Sequence, residues 1–123
     1  MKNILFLDDE EAILNMYRRL LHSSNINCYF AQNTTEAERI LNNCTIDLVV
    51  SDYRLEQETG LDFIKKMRKE NITIPMIILS GYAEEEFVKQ ALNMSVIQDF
   101  VLKPISSQDL KNVLSKYLKS ELL

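Results

Sequence analysis

The sequence predicts an α/β fold: one parallel sheet of five strands, covered by five helices to make three layers. Two observations carry this. Apolar runs of strand length alternate with stretches of helical period from one end of the 123 residues to the other, and that alternation marks strand-helix-strand units. The runs ILFL, LVV and MIIL are also too uniformly apolar for a half-solvated sheet. Their strands are therefore expected at its centre, covered on both faces.

The first strand is expected at residues 3–7, and Ile13, Met16, Tyr17, Leu20 and Leu21 form the apolar stripe of the helix after it. His22, the one histidine, follows that stripe and reads as a surface residue favourable to the helix dipole. A second strand at 27–31 precedes a helix striped by Ala37, Ile40 and Leu41. There the hydroxyl of Thr34 or Thr35 is placed to accept orphan amides at the helix start. The third strand is expected at 47–51; Gly60 opens the next helix, whose stripe is Leu61, Ile64 and Met67. The fourth, at 76–80, leads to a shorter stripe of Phe87, Val88, Ala91 and Leu92. The fifth, at 99–102, is followed by Ser106 or Ser107 as a cap, then by Leu110, Val113, Leu114, Tyr117 and Leu118 at close helical spacing.

Eighteen acidic against fourteen basic side chains leave a net charge of −4, which argues against nucleic acid as a direct partner. The basic run Lys65, Lys66, Arg68 and Lys69 reads as a solvated helix face. No apolar run approaches the ~20 residues needed to cross a bilayer, and MKNILFLDDE turns acidic where a signal peptide stays apolar. The expectation is a cytoplasmic protein with no membrane partner. Cys28 and Cys44 lie far apart with no C-x-x-C pattern, which makes them two reduced, partly buried thiols rather than a zinc or dithiol site. With two glycines, two prolines, no repeat and no linker, residues 1–123 read as a single domain.

In an open parallel sheet, right-handed crossovers bring all strand C-termini to one edge, and ligands bind there. After ILFL come Asp8, Asp9 and Glu10; Asp52 follows LVVS; MIIL leads to Ser80; FVL ends at Lys103. Each piece alone has a plainer reading: an acidic pair at a helix start, a turn aspartate, a Ser-Gly turn, a strand exit. Together they put carboxylates, a hydroxyl and an ammonium on one edge. Crowded carboxylates repel, and Mg²⁺, which prefers oxygen ligands, relieves that repulsion. A free oxygen of Asp52 is then placed to attack phosphorus, with Lys103 and Ser80 to meet the phosphoryl oxygens.

The segments FLDDE, VVSDYRL, ILSG and DFVLKP, in this order, resemble the receiver domains of bacterial two-component response regulators. The resemblance runs from end to end and implies a flavodoxin-like, CheY-like sandwich with strand order 2-1-3-4-5. It implies that Asp52 is the phosphoacceptor, that Asp9 and Asp52 bind magnesium directly, that Asp8 helps through water, and that the backbone carbonyl of Arg54 completes the protein ligands. Ser80 and Lys103 contact the phosphoryl group. Ser80 and Phe100 then act as a switch, altering the face made by the fourth helix, fifth strand and fifth helix. A cis peptide between Lys103 and Pro104 is implied as well.

Arg54 and Tyr82 match family positions that flank the path of water to the phosphoryl group. The implied partners are a sensor histidine kinase or phosphotransfer protein and a downstream effector, with dimerisation on phosphorylation left open. The domain is expected to catalyse only its own phosphorylation and dephosphorylation. One departure is Glu56, where the family often has proline, in the acidic loop Glu56-Gln57-Glu58-Thr59. Three other functions share parts of this pattern. A haloacid-dehalogenase-like phosphatase wants D-x-D, where this chain has Asp8-Asp9-Glu10; a flavodoxin-like cofactor carrier wants a phosphate-cradling loop after the first strand; an interaction module that never takes phosphate usually lacks one of the required groups.

Overall fold

In the computed structural model, which describes residues 1–118, strands and helices alternate without exception. The order is β1 (Lys2–Leu7), α1 (Glu11–Leu20), β2 (Ile26–Ala31), α2 (Thr34–Asn43), β3 (Leu48–Asp52), α3 (Gly60–Lys69) and β4 (Met76–Ser80). A short 3-10 turn at Tyr82–Glu84 then leads to α4 (Glu85–Asn93), β5 (Asp99–Leu102) and α5 (Ser107–Leu118). The expected domain end at Leu123 lies outside the described residues.

The strands form one sheet in the order β2-β1-β3-β4-β5, each neighbouring pair parallel. The three apolar runs stand in the middle as their composition requires. Because successive strand residues face opposite ways, Ile4, Phe6, Leu48, Val50, Ile77 and Leu79 meet Leu14, Tyr17, Leu110 and Leu114 of α1 and α5. Leu5, Leu7, Val49 and Ile78 face Ala37, Phe63, Ile64, Met67, Val88 and Ala91 of α2, α3 and α4. Each such side chain is almost fully buried, a gain of about 1.5–3 kcal/mol for each valine, leucine, isoleucine, phenylalanine or methionine before chain entropy is subtracted.

Several expectations need correction. Met16 is 40% exposed while Leu14 is buried: at roughly 100° per residue, Met16 points away from the side that Leu14, Tyr17 and Leu21 share. Phe87, at the margin of the Val88 and Ala91 stripe, is 56% exposed. The cap of α2 is Asn33, whose Oδ1 accepts the Glu36 amide at 2.8 Å, so the helix begins at Thr34 itself. Ser106 does cap α5, accepting the Asp109 amide at 3.1 Å.

The basic run on α3 is not uniformly solvated. Arg68 is half-buried and donates to the carbonyls of Val96, Ile72 and Ile74 and to Gln98 Oε1, at 2.8 to 3.0 Å. Cys28 and Cys44 are free and half-buried, and burial pushes the Cys28 thiol up to about 11. Among the described residues no helix is long and apolar enough to cross a membrane.

Candidate functional site

The sheet register brings the strand ends level. Leu7 pairs with Ser51, Asp52 with Leu79, and Ser80 with Leu102, so the next residues along β1 and β5, Asp8 and Lys103, flank Asp52 and Ser80. Asp52 is the last residue of β3 rather than the first after it, which ties its backbone into the ladder. Backbone bonds extend the alignment past the strands: Asp8 N–H donates to Ala31 O at 3.1 Å, Tyr53 N–H to Leu79 O at 2.9 Å, and Lys103 N–H to Ser80 O at 2.8 Å.

Asp8, Asp9 and Asp52 each offer a carboxylate oxygen, and these oxygens lie within 4.8 Å of one another. Among the described residues this is the one such cluster that suits a metal ion. Burial pushes the Asp8 carboxyl up to about 6; the charges of Asp52 and Asp9 add to the rise, while the Glu10 amide and Lys103 pull against it. Three acids at this spacing are a poor arrangement for bare protein and a good one for a hard divalent cation with oxygen ligands.

Lys103 Nζ lies 2.6 Å from Asp52 Oδ1, and the peptide from Lys103 to Pro104 is cis. Ser80 Oγ is buried with no hydrogen-bond partner among the protein atoms. An unsatisfied buried hydroxyl costs about 1–3 kcal/mol, and this one sits at the strand end next to Asp52. The donor set therefore suits an anion with several oxygens at Asp52, one to meet the ammonium and one the hydroxyl.

A cavity of about 470 Å³ opens over these groups, lined by Asp9, Asp52, Arg54, Tyr82, Glu84 and Lys103 among others. A family model for the response regulator receiver domain matches residues 4–115. The chain belongs to that family.

Curated relatives of this receiver domain include the phosphate regulon transcriptional regulatory protein PhoB of Pseudomonas aeruginosa, 30% identical over 89% of this chain and 48% of PhoB. The alginate biosynthesis transcriptional regulatory protein AlgB of the same organism is 28% identical over 94% of the chain and 26% of AlgB. The chain thus spans about half or less of the length of the curated relatives it matches. Among solved structures, a response regulator receiver domain protein from Clostridium thermocellum superposes with a TM-score of 0.87 at 26% identity, covering 97% of this chain and 95% of that one. The receiver domain of Francisella response regulator 1452 gives 0.87 at 27% identity, covering 97% and 98%.

Of the residues expected from sequence, Asp8, Asp9, Asp52, Ser80 and Lys103 stand together, and Arg54 and Tyr82 line the same cavity. Arg54 also forms an isolated antiparallel bridge with Thr59, closing the acidic loop. Phe100 is half-buried and packs on the α2–α4 side of the sheet. Sequence reading missed Ser51, whose hydroxyl donates to the Asp52 carbonyl at 2.9 Å, and Glu84, a buried acid paired with Arg54 at 2.9 Å. What separates Glu84 from Glu85 and Glu86 is its pair of contacts, with the Gly81 amide and with Arg54.

Proposed function

We propose that this receiver domain is a phosphorylation switch of a two-component system in which Asp52 takes a phosphoryl group from a sensor histidine kinase or phosphotransfer protein. The observation that carries the proposal is the convergence of the Asp8, Asp9 and Asp52 oxygens within 4.8 Å with Lys103 Nζ at 2.6 Å from Asp52.

Asp9 and Asp52 would hold Mg²⁺ directly, Asp8 through water, and the Arg54 backbone carbonyl would complete the protein ligands. When bound, the ion offsets the carboxylate repulsion and draws charge from the phosphoryl oxygens. An oxygen of Asp52 attacks phosphorus in line; the new P–O bond forms as the donor's P–N bond, or P–O bond in a small acyl phosphate, breaks. Lys103 exchanges its contact with Asp52 for one with a phosphoryl oxygen, and Ser80 donates its free hydroxyl to another. Lys103 already stands at 2.6 Å from Asp52, so little reorganisation is required of the ammonium.

Movement of Ser80 toward the phosphoryl group lets Phe100 turn inward and alters the face formed by α4, β5 and α5, which a downstream effector or a second copy of the chain reads. Arg54 and Tyr82 shield the product from water. We take residues 1–123 as one such domain, its five strands sharing a single sheet, and propose that it works in the cytoplasm. Its chemistry is confined to its own phosphorylation and dephosphorylation.

Incubation with acetyl phosphate and Mg²⁺ is expected to raise the intact mass by one phosphoryl group. Asp52→Asn or omission of the metal should abolish the gain. A folded protein that never gains this mass would be the phosphate-free interaction module instead, and continuous turnover of p-nitrophenyl phosphate would favour a phosphatase.

A further inference from the structure

Glu84 brings a buried charge to the cavity that the transfer of the phosphoryl group does not use. It lies in the 3-10 turn just after Ser80, its side chain is 6% exposed, and its two oxygens have different partners. Oε1 accepts the Gly81 amide at 3.2 Å, a local bond that holds the turn. Oε2 meets Arg54 Nη2 at 2.9 Å, a contact that reaches 30 residues along the chain to the loop after β3. Both residues line the cavity over Asp52 and Lys103.

The two partners gain unequally from this pair. A buried carboxylate left without its counterion is costly, whereas the Arg54 side chain is 73% exposed and stays solvated either way. Glu84 therefore needs the pair, and Arg54 is the partner held in place by it.

We propose that Glu84 is a positioning residue that latches the Arg54 guanidinium across the mouth of the cavity and so sets how slowly water reaches a phosphoryl group on Asp52. The latch presupposes that Asp52 is phosphorylated as proposed above; it adds that Arg54 shields by being held rather than by being large. In the guarded step a water oxygen bonds to phosphorus, the bond from phosphorus to the Asp52 oxygen breaks, inorganic phosphate leaves, and the water's proton passes to solvent.

The test compares wild type, Glu84→Gln, Arg54→Met and the double variant. Each is phosphorylated with acetyl phosphate and Mg²⁺, desalted, and followed by intact mass. Arg54→Met retains length but gives Glu84 no charge to hold. Each single substitution is expected to shorten the phosphoryl lifetime by about threefold or more, within the coupling seen between contacting residues, and the double variant should decay no faster than Arg54→Met.

A wild-type lifetime in Arg54→Met would overturn the latch by showing that bulk suffices. Effects that multiply independently in the double variant would overturn it by showing that Glu84 acts elsewhere. Thermal melts report whether each variant folds, since Arg54→Met leaves the buried Glu84 carboxylate unpaired; if either single variant does not fold, the double variant, which removes both charges together, decides, and a wild-type lifetime in it overturns the latch. A wild type that takes no phosphoryl group removes the phosphorylation reading and the latch with it, while one that takes it and keeps its lifetime through every substitution removes the latch only.

Discussion

Gly60 is where one methyl group reaches the proposed phosphoacceptor. Its amide donates to the Tyr53 carbonyl at 2.7 Å, and a β-carbon built on it lands on the Asp52 carbonyl oxygen and crowds Ser51 Oγ. Neither neighbour yields cheaply, because one is backbone and the other is a fully buried hydroxyl bonded to that same oxygen. Gly60→Ala is therefore expected to cost about 1–3 kcal/mol in urea unfolding and to slow the mass gain on Asp52, since the acceptor's own backbone must move. Unchanged stability would mean that α3 shifts outward without disturbing Asp52. Asp8, Asp9, Asp52, Ser80 and Lys103 were legible in the sequence because each stands where an apolar strand-length run ends. Glu84 and Ser51 were not, because what distinguishes them is a partner: an arginine 30 residues away for one, a neighbouring carbonyl inside the core for the other.

Two helices end alike but with different residues in the strained position. After α3, Asn71 takes φ 66° and its amide and that of Ile72 donate to Arg68 O and Met67 O; after α4, Ser95 takes φ 60° and its amide and that of Val96 donate to Leu92 O and Ala91 O. Such endings favour glycine, and asparagine tolerates them far better than serine. Ser95→Gly is expected to raise stability by about 0.5–1 kcal/mol, and Asn71→Gly by clearly less, both read from urea midpoints at constant slope. Equal gains would mean that the left-handed strain at Ser95 is relieved by some contact of its side chain. The helices themselves were legible because their buried stripes repeat at helical period, yet the margins of a stripe were not. Periodicity alone placed Met16 and Phe87 with their stripes, although both are substantially exposed. Thr34 or Thr35 was the expected cap, yet the residue before them, Asn33, holds that place, because which residue caps depends on where the first turn closes.

Arg68, Gln98 and Tyr117 join α3, the entry to β5 and α5 into one polar connection across the molecule, invisible in a sequence where Arg68 looks like one more surface cation. Gln98 Oε1 accepts from Arg68 and from the Met76 amide, at 2.8 and 2.7 Å, and the Tyr117 hydroxyl lies 2.8 Å from the Gln98 carbonyl and 3.0 Å from Asp99 Oδ2. Burial, then the hydrogen bond to Asp99 and its charge, push the Tyr117 phenol up to about 12 from an ordinary 10. The folded protein thus keeps this proton over a range where the unfolded chain loses it. The stability it contributes is fully present below pH 10 and is lost as pH rises through about 12. Tyr117→Phe should be less stable than wild type by about 1 kcal/mol near pH 8, and the gap should narrow between pH 10 and 12. Every other ionisable group is common to both proteins and cancels in the difference, so urea unfolding across that interval isolates Tyr117. Curves that stay parallel to pH 12 would mean that the phenol ionises alike in both states and that Asp99 does not hold it.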